Sequence, residues 1–281
     1  MAAGMSSVNL QDLHALRLVR WGQTPEARIP DPTAAAQFIA RAGVATLYPA
    51  SPEIPNLFHA YVGDPDRETD SGHATPSGEV YGWRWALGRA EAAFYTALVR
   101  GRPTWAHWDL LPAVLRLCGE LRMPDEVYDR GEISSDAYRV AQALEEAGGV
   151  LSTGELRKRA GFPIGKEQRA AYLHAVHELD TRLLLAKVFS ADDYEMRHAL
   201  VRARYPAHVV AAEALTREGA LDRLLLAYLP RAVYAVPAPL AKALKLPEAD
   251  LRAGLDRLTA AGKATAVSPT DRKGICYMWV E

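Results

Sequence analysis

Four of the six tryptophans, Trp83, Trp85, Trp105 and Trp108, fall in one stretch that also carries Arg84. Aromatic rings and a guanidinium held together offer flat faces on which unpaired or distorted nucleobases can stack, because every base presents a π-face. The competing use of such rings is core filling, with each indole N–H given to a carbonyl, and at least two of the four are expected there. A second chemical group is cationic: Arg157, Lys158, Arg159, Lys166, Arg169, Arg182, Arg202, Arg204, Arg272 and Lys273. Singly, each is as readily an ordinary solvated charge; together they form a local patch for phosphates. The net charge is only −1, so bulk charge does not draw this chain to nucleic acid, and any such affinity must come from the patch.

Other chemistries have no motif behind them. Gly-x-Ser-x-Gly, His-Glu-x-x-His, a Walker loop and a dinucleotide fingerprint are all lacking, and Cys118 and Cys276 stand apart from any zinc-type spacing. We expect no metal, no cofactor and no structural disulfide. No apolar run is long enough to span a membrane and no leader-like N-terminus is visible, so a cytoplasmic, nucleoid-associated protein is expected. With 281 residues and 49% hydrophobic content, the chain can bury the cores of two or three small domains.

The elements that must position these side chains are written twice. From Ala137 a helical run stops at Gly148-Gly149, Val150-Leu151 is briefly extended, and Ser152 with Glu155 can form a capping box for a short helix. Lys166 to Asp180 keeps a 3.6-residue apolar period through Ala170, Leu173, Val176, His177 and Leu179, and Leu183–Phe189 with Tyr194–Val201 reads as a hairpin. The second copy starts with a helix over Leu221–Leu229 that Pro230 interrupts. A short helix opened by Val236-Pro-Ala-Pro239 follows, then one from Pro247 to Gly262, and finally strands Ala264–Val267 and Ile275–Val280. Helix, strand, two helices and a hairpin, in that order, is the signature of a winged helix, whose second short helix and β-wing meet a DNA groove. Lys166 and Arg169 then lie on one recognition helix, Arg182 at its end, and Arg272 and Lys273 on a wing tip.

The N-terminal half is less regular. Residues 1–9 read as a disordered start, and Asp31 with Pro32 opens the first helix, which Gly43 closes. Val44–Tyr48 is strand-like, Ile54–Val62 helical, and Gly63–Gly78 an exposed loop. Met123–Ser134 reads as a linker with a short helix. The expected fold is α+β and mainly helical, a tandem of three winged-helix units: a divergent one over 31–122, then 134–208 and 216–281.

The run Gly82-Trp-Arg-Trp-Ala-Leu-Gly-Arg-Ala, then Phe94-Tyr-Thr-Ala-Leu-Val-Arg-Gly-Arg-Pro-Thr104 and Leu110-Leu-Pro112, resembles the AlkZ-related branch of the winged-helix DNA glycosylase family (AlkZ/YcaQ-like). Phe38-Ile-Ala-Arg-Ala-Gly-Val-Ala-Thr-Leu-Tyr-Pro49 and Pro55-Asn-Leu-Phe-His-Ala60 are similar to it as well. The resemblance implies a concave scaffold of winged helices on double-stranded, damaged DNA, whose active members excise alkylated bases with a Gln-x-Gln or Gln-x-Asp pair. This chain departs there: Gln11, Gln23, Gln37, Gln142 and Gln168 include no such pair, and its place falls near Leu47-Tyr48-Pro49. Hydrolysis of a glycosidic bond needs a group that orients or deprotonates water. Glu53, His59 and His107 are the nearest candidates, each with an ordinary alternative role in a helix or its approach; Glu91 and Asp109 are weaker. Three functions stay open: a DNA-binding repair or damage-recognition protein with or without glycosylase activity, a winged-helix transcriptional regulator, and a protein-interaction module. Monomer and dimer are both compatible with the pattern.

Overall fold

The computed structural model describes residues 8–271 and 273–280. One order of elements occurs three times. The first set is α2 (Pro32–Ala42), β1 (Val44–Thr46), α3 (Leu57–Val62), α4 (Pro76–Arg89), β2 (Phe94–Thr96) and β3 (Thr104–Ala106). The second is α7 (Ser135–Ala147), β4 (Leu151–Ser152), α8 (Thr153–Arg159), α9 (Lys166–Thr181), β5 (Leu185–Phe189) and β6 (Met196–Leu200). The third is α12 (Arg217–Ala232), β7 (Tyr234–Ala235), α13 (Pro237–Leu244), α14 (Glu248–Ala260), β8 (Ala264–Val267) and β9 (Cys276–Trp279). Each sheet is antiparallel, with the last strand of its set in the middle. Between the first two sets lie α5 (Leu111–Cys118) and α6 (Pro124–Asp129), and between the second and third α10 (Val201–Arg204) and α11 (Pro206–Ala214).

Local sequence sets most helix ends. The Asp31 carboxylate accepts Ala34 N–H at 2.8 Å with Pro32 at the first helical position, which satisfies one of the orphan donors of the first turn. Ser152 and Glu155 form both halves of the capping box. α7 ends at Gly148 with φ 64°, a left-handed value that glycine adopts without a Cβ penalty. Asn56 caps α3, so that helix begins three residues later than the expected Ile54, and Pro76 opens α4 inside the stretch expected to be loop through Gly78. Pro230 does not interrupt α12, which runs on to Ala232. The carbonyl that its missing N–H would have met belongs to Leu226, on the exposed side of the helix, and the freed turn lies near the C-terminal end.

Burial divides the molecule unequally. The second set closes its own core, with Leu144, Leu156, Phe162, Tyr172 and Leu179 at its centre. The first set has one as well, around Phe38, Leu47, Leu57, Trp83 and Trp105, and a larger cluster, in which α5 and α12 bring Leu111, Leu115, Leu221, Leu225 and Leu229 together, joins the third set to the other two. Each of these leucines contributes about 1.5–3 kcal/mol on burial. An additional helix, α1 (Leu10–Arg20), precedes Asp31, where no element was expected. It ties the N-terminal side to the third set. Asp271, at the tip between β8 and β9, accepts Leu10 N–H at 3.0 Å and Gln11 N–H at 3.2 Å. Of the expected disordered start, residues 1–7 lie outside the described residues.

The hairpin of the second set is also docked, on α4 of the first. Arg89 donates from Nε to the Ser190 carbonyl and from Nη2 to the Asp193 carbonyl, both at 2.8 Å. Phe189 sits over Gly88 so closely that a Cβ there would come within 2.1 Å of the ring. Below it, Thr96 donates its hydroxyl to the Asp180 carbonyl at 3.1 Å, and Lys187 pairs with the buried Asp180 carboxylate.

Candidate nucleic-acid interface

A cleft of about 900 Å³ opens where β1 ends, lined by Tyr48, His59, Asp70, Tyr81 and Arg102 among others. A second, of about 550 Å³, shares Pro49, His59 and Pro65 with it and reaches His14 and Trp21. Tyr48 donates its hydroxyl to the Ser77 carbonyl at 2.7 Å, and burial raises its pKa. Asp70 is paired with Arg67 at 3.2 Å, and its N–H donates to Ser77 Oγ at 2.9 Å. The segment over the cleft is therefore held by its own polar groups.

His59 holds it too. Its Nδ1 lies 3.1 Å from Asn56 Nδ2, a donor only, so Nδ1 is the acceptor and the ring proton sits on Nε2, which donates to the Arg67 carbonyl at 3.1 Å. Burial lowers its pKa, so the ring is neutral and both nitrogens are engaged. It braces α3 against the 64–70 segment and has no nitrogen free for water. Glu53 is engaged in a different way. It is 5% exposed and faces Arg17 of α1 at 3.2 Å. Arg17 also donates to the carbonyls of Ala232, at 2.8 Å, and Tyr234, while Tyr228 donates to the Glu53 carbonyl at 2.9 Å. Glu53 is thus the anionic half of a buried clamp joining α1, the first set and the third. His107 starts the turn before α5: its Nδ1 accepts Asp109 N–H at 3.4 Å, and its own N–H donates to Gly43. It lines neither cleft.

Most of the tryptophans fill cores, the use expected of at least two of the four. Trp105 is fully buried and Trp83 is 2% exposed, packed among Phe38, Leu47 and Leu57 and giving its Nε1–H to Glu79 at 2.9 Å. Their volume belongs to the core of the first set. Trp85 is nearly covered by Phe189 and Tyr194. Trp108, half-buried, gives its N–H to the Glu91 carbonyl and packs on Tyr205. The exposed aromatics in this region are Tyr81 and Tyr194, whose side chains no pattern in the sequence singles out.

The cations divide as well. Lys166 and Arg169 stand exposed in the first turn of α9, whose Gly165 N-cap carries no side-chain bond to the turn. Leu173 and His177, expected with Ala170 in the buried stripe of this helix, are exposed instead, because the buried face runs through Tyr172, Ala175 and Leu179; they follow Lys166 and Arg169 at three- and four-residue spacing, and His177 reaches Gly101 beside Arg102 of the larger cleft. From Lys166 to His177 the exposed face is about 17 Å long. Arg182 is not part of that face: it closes the opposite end of α9 and bonds the Glu132 carbonyl. Lys273 is exposed two residues beyond Asp271, on a hairpin tip tied to α1, and Arg272 lies outside the described residues. Arg84 lies over Tyr81 at 3.6 Å. Among the described residues there is no His, Cys, Asp and Glu group able to hold a metal ion, and no helix long and apolar enough to cross a membrane.

Residues 29–227 match the protein family described as AlkZ related. Among solved structures, the Streptomyces sahachiroi DNA glycosylase AlkZ superposes with a TM-score of 0.59 at 15% identity, over 96% of this chain and 70% of that one. At that identity the likeness is one of fold. No curated protein matches.

Proposed function

Because the chain belongs to the AlkZ-related family, we propose that it binds double-stranded DNA and acts in DNA repair as a damage-recognition protein. The carrying observation is the open face of α9, with Lys166, Arg169, Leu173 and His177 in line and leading to Arg102 at the larger cleft. An uncapped helix N-terminus with two flanking cations suits phosphate oxygens, through free N–H groups, the helix dipole and direct charge. In this reading each of the three sets is a winged helix, in domains spanning 31–122, 134–208 and 216–281, and α9 is the recognition helix of the second. The three-fold recurrence of helix, strand, two helices and hairpin, each with the same strand order, supports it. Arg182 lies at the far end of α9 and takes no part in holding the duplex, and Lys273 remains a secondary phosphate ligand.

The glutamine pair of the active enzymes has no counterpart in this chain. Near Leu47-Tyr48-Pro49 this chain presents Tyr48, with its hydroxyl given to a carbonyl, and the neutral His59. Glu53 is neutralised inside a clamp. The site therefore supports recognition of altered DNA without base excision by these side chains.

The test is duplex binding across a salt series. Reversal of charge in Lys166→Glu and Arg169→Glu should weaken binding. Every phosphate that the protein no longer neutralises should flatten the plot of log affinity against log salt by about 0.9. An unchanged affinity and slope in the double variant would remove α9 from the interface.

A further inference from the structure

A ladder of alternating aromatic and guanidinium groups runs along α4 and onto the neighbouring hairpin tip, with its middle ring, Trp85, buried. Arg84 lies 3.6 Å over Tyr81 and 5.2 Å from Trp85; Arg89 lies 5.7 Å from Trp85 and 4.6 Å over Tyr194. Trp85 meets Tyr194 edge-on at 5.2 Å. Positions 81, 84, 85 and 89 share one helix face by their spacing. The two ends are open: Tyr81 is 42% exposed and Tyr194 73%, and a Cβ at Gly82, beside Tyr81, would meet nothing within 4 Å.

Two features make this a built surface. Arg89 is pinned by its bonds to the Ser190 and Asp193 carbonyls, so the ring of Tyr194 is backed by a fixed cation. Trp85 is wedged between Phe189 and Tyr194, which fixes the middle of the ladder. Preorganised aromatic faces lose little entropy on binding a flat partner. The charge balance then chooses the partner. Beside Tyr194 in sequence stand the carboxylates Asp192, Asp193 and Glu195, and Asp193 pairs with Arg197 at 2.7 Å. Carboxylates at this end weaken its pull on phosphate and leave the ring face as its distinguishing feature. Tyr81 also lines the larger cleft, so the ladder begins where the candidate interface already leads.

We propose that the ladder from Tyr81 to Tyr194 is a stacking site for unpaired bases, engaging single-stranded or locally opened DNA while α9 holds the phosphates of the adjoining duplex. This rests on the DNA-binding reading above and adds a division of labour to it: charge on α9, π-faces on α4 and the hairpin tip. Base-on-aromatic stacking tolerates any sequence, so the site reads the absence of pairing and is indifferent to base identity.

The test uses the full chain and fluorescence-labelled strands: a 12-nucleotide oligothymidylate, a strand of equal length built of abasic sites, and a paired duplex. The wild-type protein should bind oligothymidylate at least about fivefold more tightly than the abasic strand, which has the same phosphates but no bases. Tyr194→Ala should remove that preference while leaving duplex affinity and its salt slope unchanged, and Tyr194→Phe should retain it. Tyr194 is exposed enough for its variants to fold, which circular dichroism of each variant checks. Equal affinity for the two single strands, or a Tyr194→Ala variant that keeps the preference, would overturn the ladder with duplex binding intact. Failure to bind the duplex as well would overturn the DNA-binding reading together with the ladder.

Discussion

Replacing Glu53 by glutamine separates a structural from a catalytic carboxylate. The substitution keeps the shape of the side chain and removes its charge, which leaves Arg17 as a buried cation. Breaking one half of a buried ion pair costs about 3–5 kcal/mol, because the remaining charge has lost its counter-ion in a poorly solvated place. Arg17 keeps acceptors in the carbonyls of Ala232 and Tyr234 and the Tyr234 ring at 3.7 Å, so the lower end of that range, about 3 kcal/mol, applies. In a cooperative unit of this size that corresponds to a fall in melting temperature of about 6–12 °C. The assay is thermal unfolding followed by circular dichroism, with limited proteolysis to detect release of α1, whose docking on the third set runs through the same guanidinium. DNA binding at a temperature where the variant is folded should be unchanged. A Glu53→Gln variant as stable as the parent, with α1 still protected, would refute the reasoning.

Two further perturbations follow from the packing. Gly88→Ala gains about 1 kcal/mol of helix propensity but drives a methyl into Phe189, which Trp85, Tyr95 and Trp105 box in at 5.4, 5.7 and 6.1 Å. Overpacking costs about 1–3 kcal/mol. We expect net destabilisation and a loosened hairpin, read by denaturant unfolding; a stabilised variant would show that Phe189 yields freely. His198, paired across the strands with Lys187, has its pKa pushed down to about 4 by burial and then by the Lys187 charge. The unfolded chain takes up a proton near pH 6.5 that the folded one refuses, so stability is full above about pH 6.5 and declines as pH falls toward 4. The loss is on the order of 3 kcal/mol, and a His198→Gln variant should flatten that part of the stability curve.

How much of the molecule is legible in the sequence follows from where the deciding contacts lie. Helix ends read well because their determinants are local: Asp31 and Pro32, Ser152 and Glu155, and Gly148 act within one turn of the helix they limit. α1 is not legible because its buried face carries Arg17, which breaks the apolar period, and the partner that makes the burial tolerable is Glu53, 36 residues away. Pro230 misleads because the breaker rule applies to helix interiors, and here the missing bond falls near the end on the exposed side. Residue type places rings near the first set but does not say which face outward. Trp83 and Trp105 fill its core, and Tyr194, from a different set, supplies the most exposed ring. Arg182 is placed correctly by its spacing: sixteen residues from Lys166 is about 24 Å along one helix, which puts it at the other end.

The most direct measurement is equilibrium binding of the intact chain to two matched duplexes, one undamaged and one carrying an N3- or N7-alkylated purine, over a range of salt concentrations, with released base monitored in the same samples. The expected result is salt-dependent binding to both, tighter on the alkylated duplex, without base release. Binding confined to one undamaged sequence, or no binding to either duplex at low salt, would contradict it.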